Sequence, residues 1–223
     1  MESEGSTVHL GARRPIRARN SGWAAAWAAR LARRGVSPNA ISGGSVLFGA
    51  IAGACFISTR FVQSPWLIAA LLLLAILGIQ ARLLCNLLDG MVAVEGGKGS
   101  KSGEVYNDFP DRLADPIILI AAGYAANVAH GVELGWAAAL LAVMTAYVRV
   151  LGRSIGSGVY FTGPMAKQHR MAVLTAACLT GAVASFWGWH RWVLWAALCL
   201  IVAGCIVTVV RRLRLIVNDL ERR

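Results

Sequence analysis

The amino-acid sequence predicts an all-α integral membrane protein with six transmembrane helices. The chain has 223 residues, of which 57% are hydrophobic and only 15% are charged, whereas about one quarter of the residues of a soluble domain are charged. Several apolar runs reach the length of about 20 residues that a helix needs to cross a bilayer. Because these runs are continuously apolar rather than alternating, they favour helices over membrane strands.

The first segments of the chain are polar or amphipathic. Residues 1–20 are rich in arginine without an apolar core, which predicts a flexible basic tail rather than a cleaved signal peptide. Alanines, two tryptophans four residues apart and a cationic end then predict an amphipathic helix over residues 22–35, lying on the membrane surface. The alternative is an extension of the first span, but Gly35 and Pro38 favour a separate helix.

The rest of the chain, residues 21–223 including that helix, is predicted to form a single membrane domain. Its apolar runs are separated by short polar connections, and none of these connections is long enough for a further domain. The six predicted spans cover residues 41–59, 65–86, 112–130, 134–153, 170–188 and 192–211.

Basic residues mark one side of this membrane domain. Every Lys and Arg except Arg60 and Arg191 lies before span 1, between spans 2 and 3, between spans 4 and 5, after span 6, or at the adjoining helix ends. This distribution follows the positive-inside rule and predicts cytoplasmic termini in a bacterial-type inner membrane. The net charge of +11 therefore indicates topology and attraction to anionic membrane lipids, not binding to nucleic acid.

Acidic residues concentrate between spans 2 and 3. Six of the eleven acids lie between residues 86 and 115. If span 2 continues as a helix to Ala93 and the next helix begins near Gly103, polar side chains share one face of each helix. These positions are Asn86 and Asp89 on the first helix, and Asn107, Asp111 and Asp115 on the second.

Facing carboxylates repel one another and take up protons unless a cation lies between them. Oxygen ligands without His or Cys suit Mg²⁺, Mn²⁺ or Ca²⁺. The alternative is a run of solvated acids at the membrane surface. Their helical register, and the small residues Gly90, Ala93 and Gly103 beside them, favour a ligand site instead.

The spacing resembles the signature of the CDP-alcohol phosphotransferase family, D-x2-D-G-x2-A-R-x8-G-x3-D-x3-D. Every gap matches between residues 86 and 111. Residues 35–42, GVSPNAIS, resemble the family's PN-x-x-[ST] segment before the first membrane helix. Residues 163–171, GPMAKQHRM, resemble the basic segment that lies near the substrate phosphates.

This resemblance implies transfer of a phosphatidyl or other substituted phosphoryl group in phospholipid synthesis. The donor is a CDP-alcohol such as CDP-diacylglycerol, the acceptor is an alcohol, and CMP leaves. The resemblance also suggests a homodimer and a bound Mg²⁺ or Mn²⁺, with Asp111 both a metal ligand and the general base.

Further roles follow by position. The metal set comprises Asn86, Asp89, Asn107 and Asp111, with Asp115 able to restore a charge one turn later. The nucleotide set comprises Asn39, Ser42, Asp89, Gly90, Ala93 and Gly103. The set for the acceptor or a phosphate comprises Arg149, Arg153, Lys167 and Arg170, for which positive-inside topology is the alternative explanation.

Three signature residues are absent: asparagine replaces two acids at Asn86 and Asn107, and Val94 replaces arginine. The substitutions remove two negative charges, so weaker metal binding is expected. Either Asp108 or Asp115 could restore charge, or could cap the start of span 3 near its positive dipole end. Capping is predicted for Asp108, whereas both roles remain open for Asp115. Two hypotheses follow: a variant but active transferase, or a non-catalytic relative that binds a CDP-lipid, a cation or a membrane partner.

Overall fold

The computed structural model describes residues 22–95 and 103–222, and within these ranges every regular element is helical. The predicted basic tail, residues 1–20, and the connection of residues 96–102 lie outside the described part. The seven α-helices are α1 Gly22–Arg33, α2 Pro38–Ser58, α3 Pro65–Glu95, α4 Gly103–Ala126, α5 Gly131–Ser154, α6 Lys167–Ala184 and α7 His190–Glu221, with short 3₁₀ turns at Thr59–Phe61 and Ser185–Trp187.

Five of these helices, α2, α3, α5, α6 and α7, are long and apolar enough to cross a membrane. This finding indicates an integral membrane protein, as predicted. Helix α4 is less apolar because its first half carries five charged residues, Glu104, Asp108, Asp111, Arg112 and Asp115. The predicted span of residues 112–130, and with it the total of six spans, therefore depends on α4.

Local chemistry sets where the helices begin and end. Helix α2 starts at Pro38, three residues before the predicted span, because the Ser37 hydroxyl accepts a hydrogen bond from the Ala40 amide at 3.2 Å and caps the helix. Helix α3 continues to Glu95, and α4 begins at Gly103. Both bounds agree with the register from which the facing polar residues were predicted.

Two other bounds differ from the prediction. Helix α4 ends at Ala126 rather than near residue 130, because Asn127 and His130 adopt positive φ angles of 44° and 59° in the turn that follows. Helix α7 continues to Glu221, well beyond residue 211. Its last turns are rich in charged residues, which lets them continue as a helix outside the apolar layer.

Helix α2 packs between α3 and α4, and glycine sets its distance from α4. A Cβ atom on Gly49 would lie 3.0 Å from the Cβ of Ala114, and one on Gly53 would lie 3.1 Å from the Cγ2 of Ile117. Small residues of this kind let membrane helices approach closely. Helices α3 and α4, in contrast, approach each other at few points, and long polar side chains lie between them.

Helix α1 lies against the last turns of α3. Its Ala24 and Ala28 are fully buried and belong to an apolar cluster with Leu87 and Leu88. The helix ends at Arg33, two residues before the predicted end. Its position at the membrane surface stays a prediction.

Candidate functional site

A buried group of charged side chains joins α3, α4 and α6. At its centre is Asp111 of α4. Its Oδ1 accepts hydrogen bonds from Arg82 Nη2 at 3.0 Å and from Asn86 Nδ2 at 2.7 Å. Its Oδ2 accepts one from Lys167 Nζ. Asp111 therefore receives donors from two other helices, α3 and α6.

Asp115 lies one turn further along α4 and extends this group. Its Oδ1 lies 2.5 Å from Arg82 Nη2, a charge contact without hydrogen-bond alignment, and its Oδ2 accepts a hydrogen bond from Arg170 Nη2 at 2.8 Å. Arg170 also donates to Thr145 Oγ1 and to the Met165 carbonyl. Asp115 is thus an ion-paired residue inside the bundle, and it does not cap α4, which begins at Gly103.

Arg82 was absent from the predicted site. It is 0% exposed, and its Nη2 contacts both Asp111 and Asp115. The sequence did carry a signal, because Arg82 is the one charged residue in the apolar run of residues 65–88. It also stands four residues before Asn86, on the same helical face. An ionisable residue inside a membrane span is a functional candidate by default.

Asp89 has a separate environment on the α2 side. Its Oδ2 accepts a hydrogen bond from the Ser42 hydroxyl at 2.7 Å, its Oδ1 accepts one from the Gly90 amide, and the residue is 2% exposed. The structure thus brings together three residues of the predicted nucleotide set. The other members, Asn39, Ala93 and Gly103, are partly buried at the ends of α2, α3 and α4.

Asp108 does not cap α4, contrary to the prediction. The helix begins five residues earlier, at Gly103, because it extends beyond the predicted apolar span into the polar stretch. Asp108 instead accepts hydrogen bonds from Arg112 Nη2 at 3.1 Å and from Arg149 Nη2 at 3.2 Å. Arg149 also lies over the Phe161 ring, 5.5 Å from its centroid.

The four predicted cations lie near the same end of the bundle, in different surroundings. Arg149 pairs with Asp108, Lys167 with Asp111, and Arg170 with Asp115. The fourth, Arg153, is exposed near the end of α5. Three of the four are therefore held by carboxylates of α4.

The described side chains do not fit a divalent cation. Asp111 and Asp115 are both engaged by cationic side chains, while Asp89 is bound to Ser42. Asn86 turns its amide nitrogen to Asp111, and its Oδ1 has no partner. Within residues 22–95 and 103–222 no group of three His, Cys, Asp or Glu residues forms a metal site.

The side chain of Asn107, another of the predicted ligands, lies outside the described part of the chain. The physical reason for the misfit is that α3 and α6 bring cations to the carboxylates. The spacing of the acids along the sequence does not show these cations, so it predicts unpaired carboxylates.

Comparison with known proteins places the fold. No family model matches the sequence, and no curated protein matches it. Solved structures of the phosphatidylinositol phosphate synthase PgsA1 of Mycobacterium tuberculosis do match, one with CDP-DAG bound and one in complex with manganese and citrate. Each has a TM-score of 0.65 and 20% sequence identity, over 86% of this chain and 92% or 88% of the other. The chain therefore shares the fold of these two solved structures.

Proposed function

We propose that this protein is a membrane-embedded transferase of the CDP-alcohol type. It binds a CDP-linked lipid, with CDP-diacylglycerol the first choice, and transfers the substituted phosphoryl group to an acceptor hydroxyl with release of CMP. One observation carries the proposal: Ser42, Asp89, Asp111 and Lys167 gather at the same end of four helices. They do so in the fold of an enzyme whose structure holds CDP-DAG.

In this proposal α4 also crosses the membrane, which brings the number of crossings to six. It packs against α2 through Gly49 and Gly53, and against α5 where a Cβ on Gly123 would lie 2.7 Å from the Cα of Gly135. A helix packed along two membrane-spanning neighbours crosses with them. Both termini and the charged site then face the cytoplasm of a bacterial-type inner membrane, and the protein forms a homodimer.

The proposed reaction is a displacement at phosphorus. The acceptor oxygen attacks the lipid-bearing phosphorus of the diphosphate, the bond from that phosphorus to the bridging oxygen breaks, and CMP leaves with that oxygen. Asp111 takes the hydroxyl proton as general base. Lys167 and Arg149 turn from their carboxylates to the phosphate oxygens, where fixed positive charge stabilises the transition state.

A second candidate is a CDP-lipid-binding relative without turnover. It is favoured by the crowding of Asp111, whose two oxygens already accept from three donors: Arg82, Asn86 and Lys167. A carboxylate held in this way must release at least one donor before it can accept a substrate proton. Binding without CMP release would identify this candidate.

The direct experiment is a CMP-release assay on purified protein, with CDP-diacylglycerol and a panel of polyol, sugar-phosphate and lipid-alcohol acceptors. Parallel reactions contain EDTA, Mg²⁺ or Mn²⁺. We expect CMP and a new phospholipid by mass spectrometry from the native protein. Asp111→Asn should lower the rate by about 10²-fold or more if Asp111 is the base.

Asp108→Asn is the matched control, because it makes the same chemical change one turn away on the same helix. It should retain most of the activity. Saturable binding of CDP-diacylglycerol with no CMP from any acceptor would favour the non-catalytic candidate. Folded protein that neither binds the lipid nor releases CMP would exclude both.

A further inference from the structure

We infer that Arg82 is a built-in counter-ion that takes the place of a divalent cation, so that the charged site binds its diphosphate ligand without Mg²⁺ or Mn²⁺. The identity of that ligand rests on the proposed function. The charge arrangement does not, because it is read from the side chains alone. Arg82 is a positioning residue in this proposal, since it acts through Asp111 and Asp115.

The charges in the centre of the site are balanced. Among the described side chains, three carboxylates lie there together with three cations: Asp89, Asp111 and Asp115 with Arg82, Lys167 and Arg170. Their formal charges sum to zero. Repulsion between unpaired carboxylates was the reason to expect a divalent cation, and that repulsion is already relieved. A further charge of +2 would leave the buried site strongly positive.

Arg82 contacts two carboxylates of α4. Its Nη2 lies 3.0 Å from Asp111 Oδ1 and 2.5 Å from Asp115 Oδ1. One guanidinium nitrogen thus bridges oxygens of two carboxylates, as a bound cation would. Arg82 is 0% exposed, and the weakly hydrated guanidinium of arginine suits such a buried ion pair.

Asn86 also donates to Asp111, from the same helix as Arg82. Its amide nitrogen donates to Asp111 Oδ1 at 2.7 Å, beside the hydrogen bond from Arg82. A carboxylate at position 86 would instead place another negative charge against Asp111. The single positive charge of the Arg82 guanidinium would then face more negative charge than it can neutralise. Arginine at 82 and asparagine at 86 are therefore complementary, one turn apart on α3.

The two cations that contact Asp111 differ in their exposure to solvent. The Lys167 side chain is 23% exposed, whereas the Arg82 side chain is 0% exposed. Lys167 can therefore turn to an arriving diphosphate while Arg82 continues to neutralise Asp111. The ligand contact and the internal neutralisation are assigned to different residues.

The test measures thermal unfolding of the purified protein without any CDP-lipid, in EDTA, Mg²⁺ or Mn²⁺. The native protein should show no stabilisation by either ion. Asn86→Asp should gain a stabilisation that grows with ion concentration, as expected for an ion bound to the folded state. The matched control is Asn127→Asp, which adds a carboxylate in the turn after α4 and should gain none.

Two variants of Arg82 extend the test. Arg82→Gln leaves Asp111 and Asp115 short of one positive charge, so Mn²⁺ should now raise its melting temperature. Arg82→Lys retains the charge and should remain indifferent to Mn²⁺. If Arg82→Gln does not fold, the response of the native protein and of Asn86→Asp to Mn²⁺ still tests the inference. The inference is overturned if Mn²⁺ stabilises the native protein as much as Asn86→Asp, or if Asn86→Asp does not respond.

Binding of CDP-diacylglycerol separates this inference from the proposed function. Native protein should bind the lipid in EDTA with a Kd within about twofold of that in Mn²⁺, because no ion has to be bound first. Binding only in Mn²⁺ would overturn the inference and leave the proposed function standing. No binding in either condition would overturn the proposed function, while the unfolding measurements would still judge the role of Arg82.

Discussion

At the scale of single residues, the protein holds its buried charges in a network rather than in isolated pairs. Arg82 contacts two carboxylates, and Arg170 adds hydrogen bonds to Thr145 and the Met165 carbonyl. Burying a charge costs several kcal/mol unless partners compensate for the lost hydration. Removing one member is therefore more damaging than the loss of a single contact would suggest.

Arg82→Gln should destabilise the protein by about 3–5 kcal/mol, because it leaves two buried carboxylates without their shared partner. Arg112→Gln is the comparison, since it removes the same charge from a partly exposed i,i+4 pair with Asp108, and should cost about 1 kcal/mol or less. Chemical unfolding in detergent measures both. Equal losses of stability in the two variants would show that burial of Arg82 does not increase its contribution to the free energy of unfolding.

Ser42→Ala should weaken binding of CDP-diacylglycerol, because Asp89 would lose the hydroxyl that orients its Oδ2. Loss of a hydrogen bond to a buried charged group costs about 1.5–3 kcal/mol, or roughly 10- to 150-fold in affinity when it falls on binding. Ser154→Ala, an exposed serine at the end of α5, is the control. Unchanged affinity in Ser42→Ala would remove Asp89 from the ligand site.

The sequence was sufficient to place Asp89, Asp111 and Asp115 on facing helix ends, because helical register follows from spacing alone. It did not show their partners. Arg82 and Lys167 are far from Asp111 in the chain, and their meeting depends on how α6 packs against α3. Helical register shows which residues share a face of one helix. It does not show which charged residue of another helix will pack against that face.

At the scale of helices, glycines fix the distance between α2 and its neighbours. Gly49 and Gly53 let α2 approach α4 through Ala114 and Ile117. Ala114 directly precedes Asp115, so this contact also sets the position of the charged residues of α4. Close packing of α2 and α4 is therefore part of the construction of the site.

Gly49→Leu should lower the melting temperature by several degrees, because its Cβ alone would lie 3.0 Å from Ala114 Cβ and overpacking costs about 1–3 kcal/mol. Gly43→Leu is the matched control in the same helix, where a Cβ meets nothing within 4 Å. It should leave the melting temperature nearly unchanged. Similar losses in both variants would mean that helix propensity, not the contact with α4, is responsible.

The helices themselves were largely predictable, while several of their ends were not visible to hydropathy. Apolar runs located the candidate spans that are confirmed, but the apolar run that begins at residue 112 misses the first turns of α4. Its start near Gly103 followed only from the register of the polar residues, and the helix continues through Pro110 and Pro116. Hydropathy cannot detect a helix that extends into a charged region. That limit explains why Asp108 was expected at a helix start when it lies in the second turn.

At the scale of the whole molecule, the proposal requires α4 to cross the membrane together with the five helices that are long and apolar enough to do so. The turn after α4 would then face away from the cytoplasm, and the end of α5 would face it. The positive-inside distribution agrees with this arrangement, because Arg153 lies at the end of α5 and the turn after α4 carries no Lys or Arg.

Cysteine labelling tests this topology. Ala129→Cys, in the exposed turn after α4, should react with a membrane-impermeant maleimide in intact spheroplasts. Ser154→Cys, at the end of α5, should react only after permeabilisation. The native protein measures the background from its own five cysteines. Equal labelling of the two variants in intact spheroplasts would contradict the six-span arrangement.

We propose the end of the bundle formed by α2, α3, α4 and α6 as a site for a CDP-linked lipid. This proposal can be tested by equilibrium binding of radiolabelled CDP-diacylglycerol to the purified native protein in EDTA, with CMP and UMP as competitors. We expect saturable binding that CMP displaces and that UMP displaces more weakly. Absence of saturable binding by folded protein, in EDTA and in Mn²⁺ alike, would contradict it.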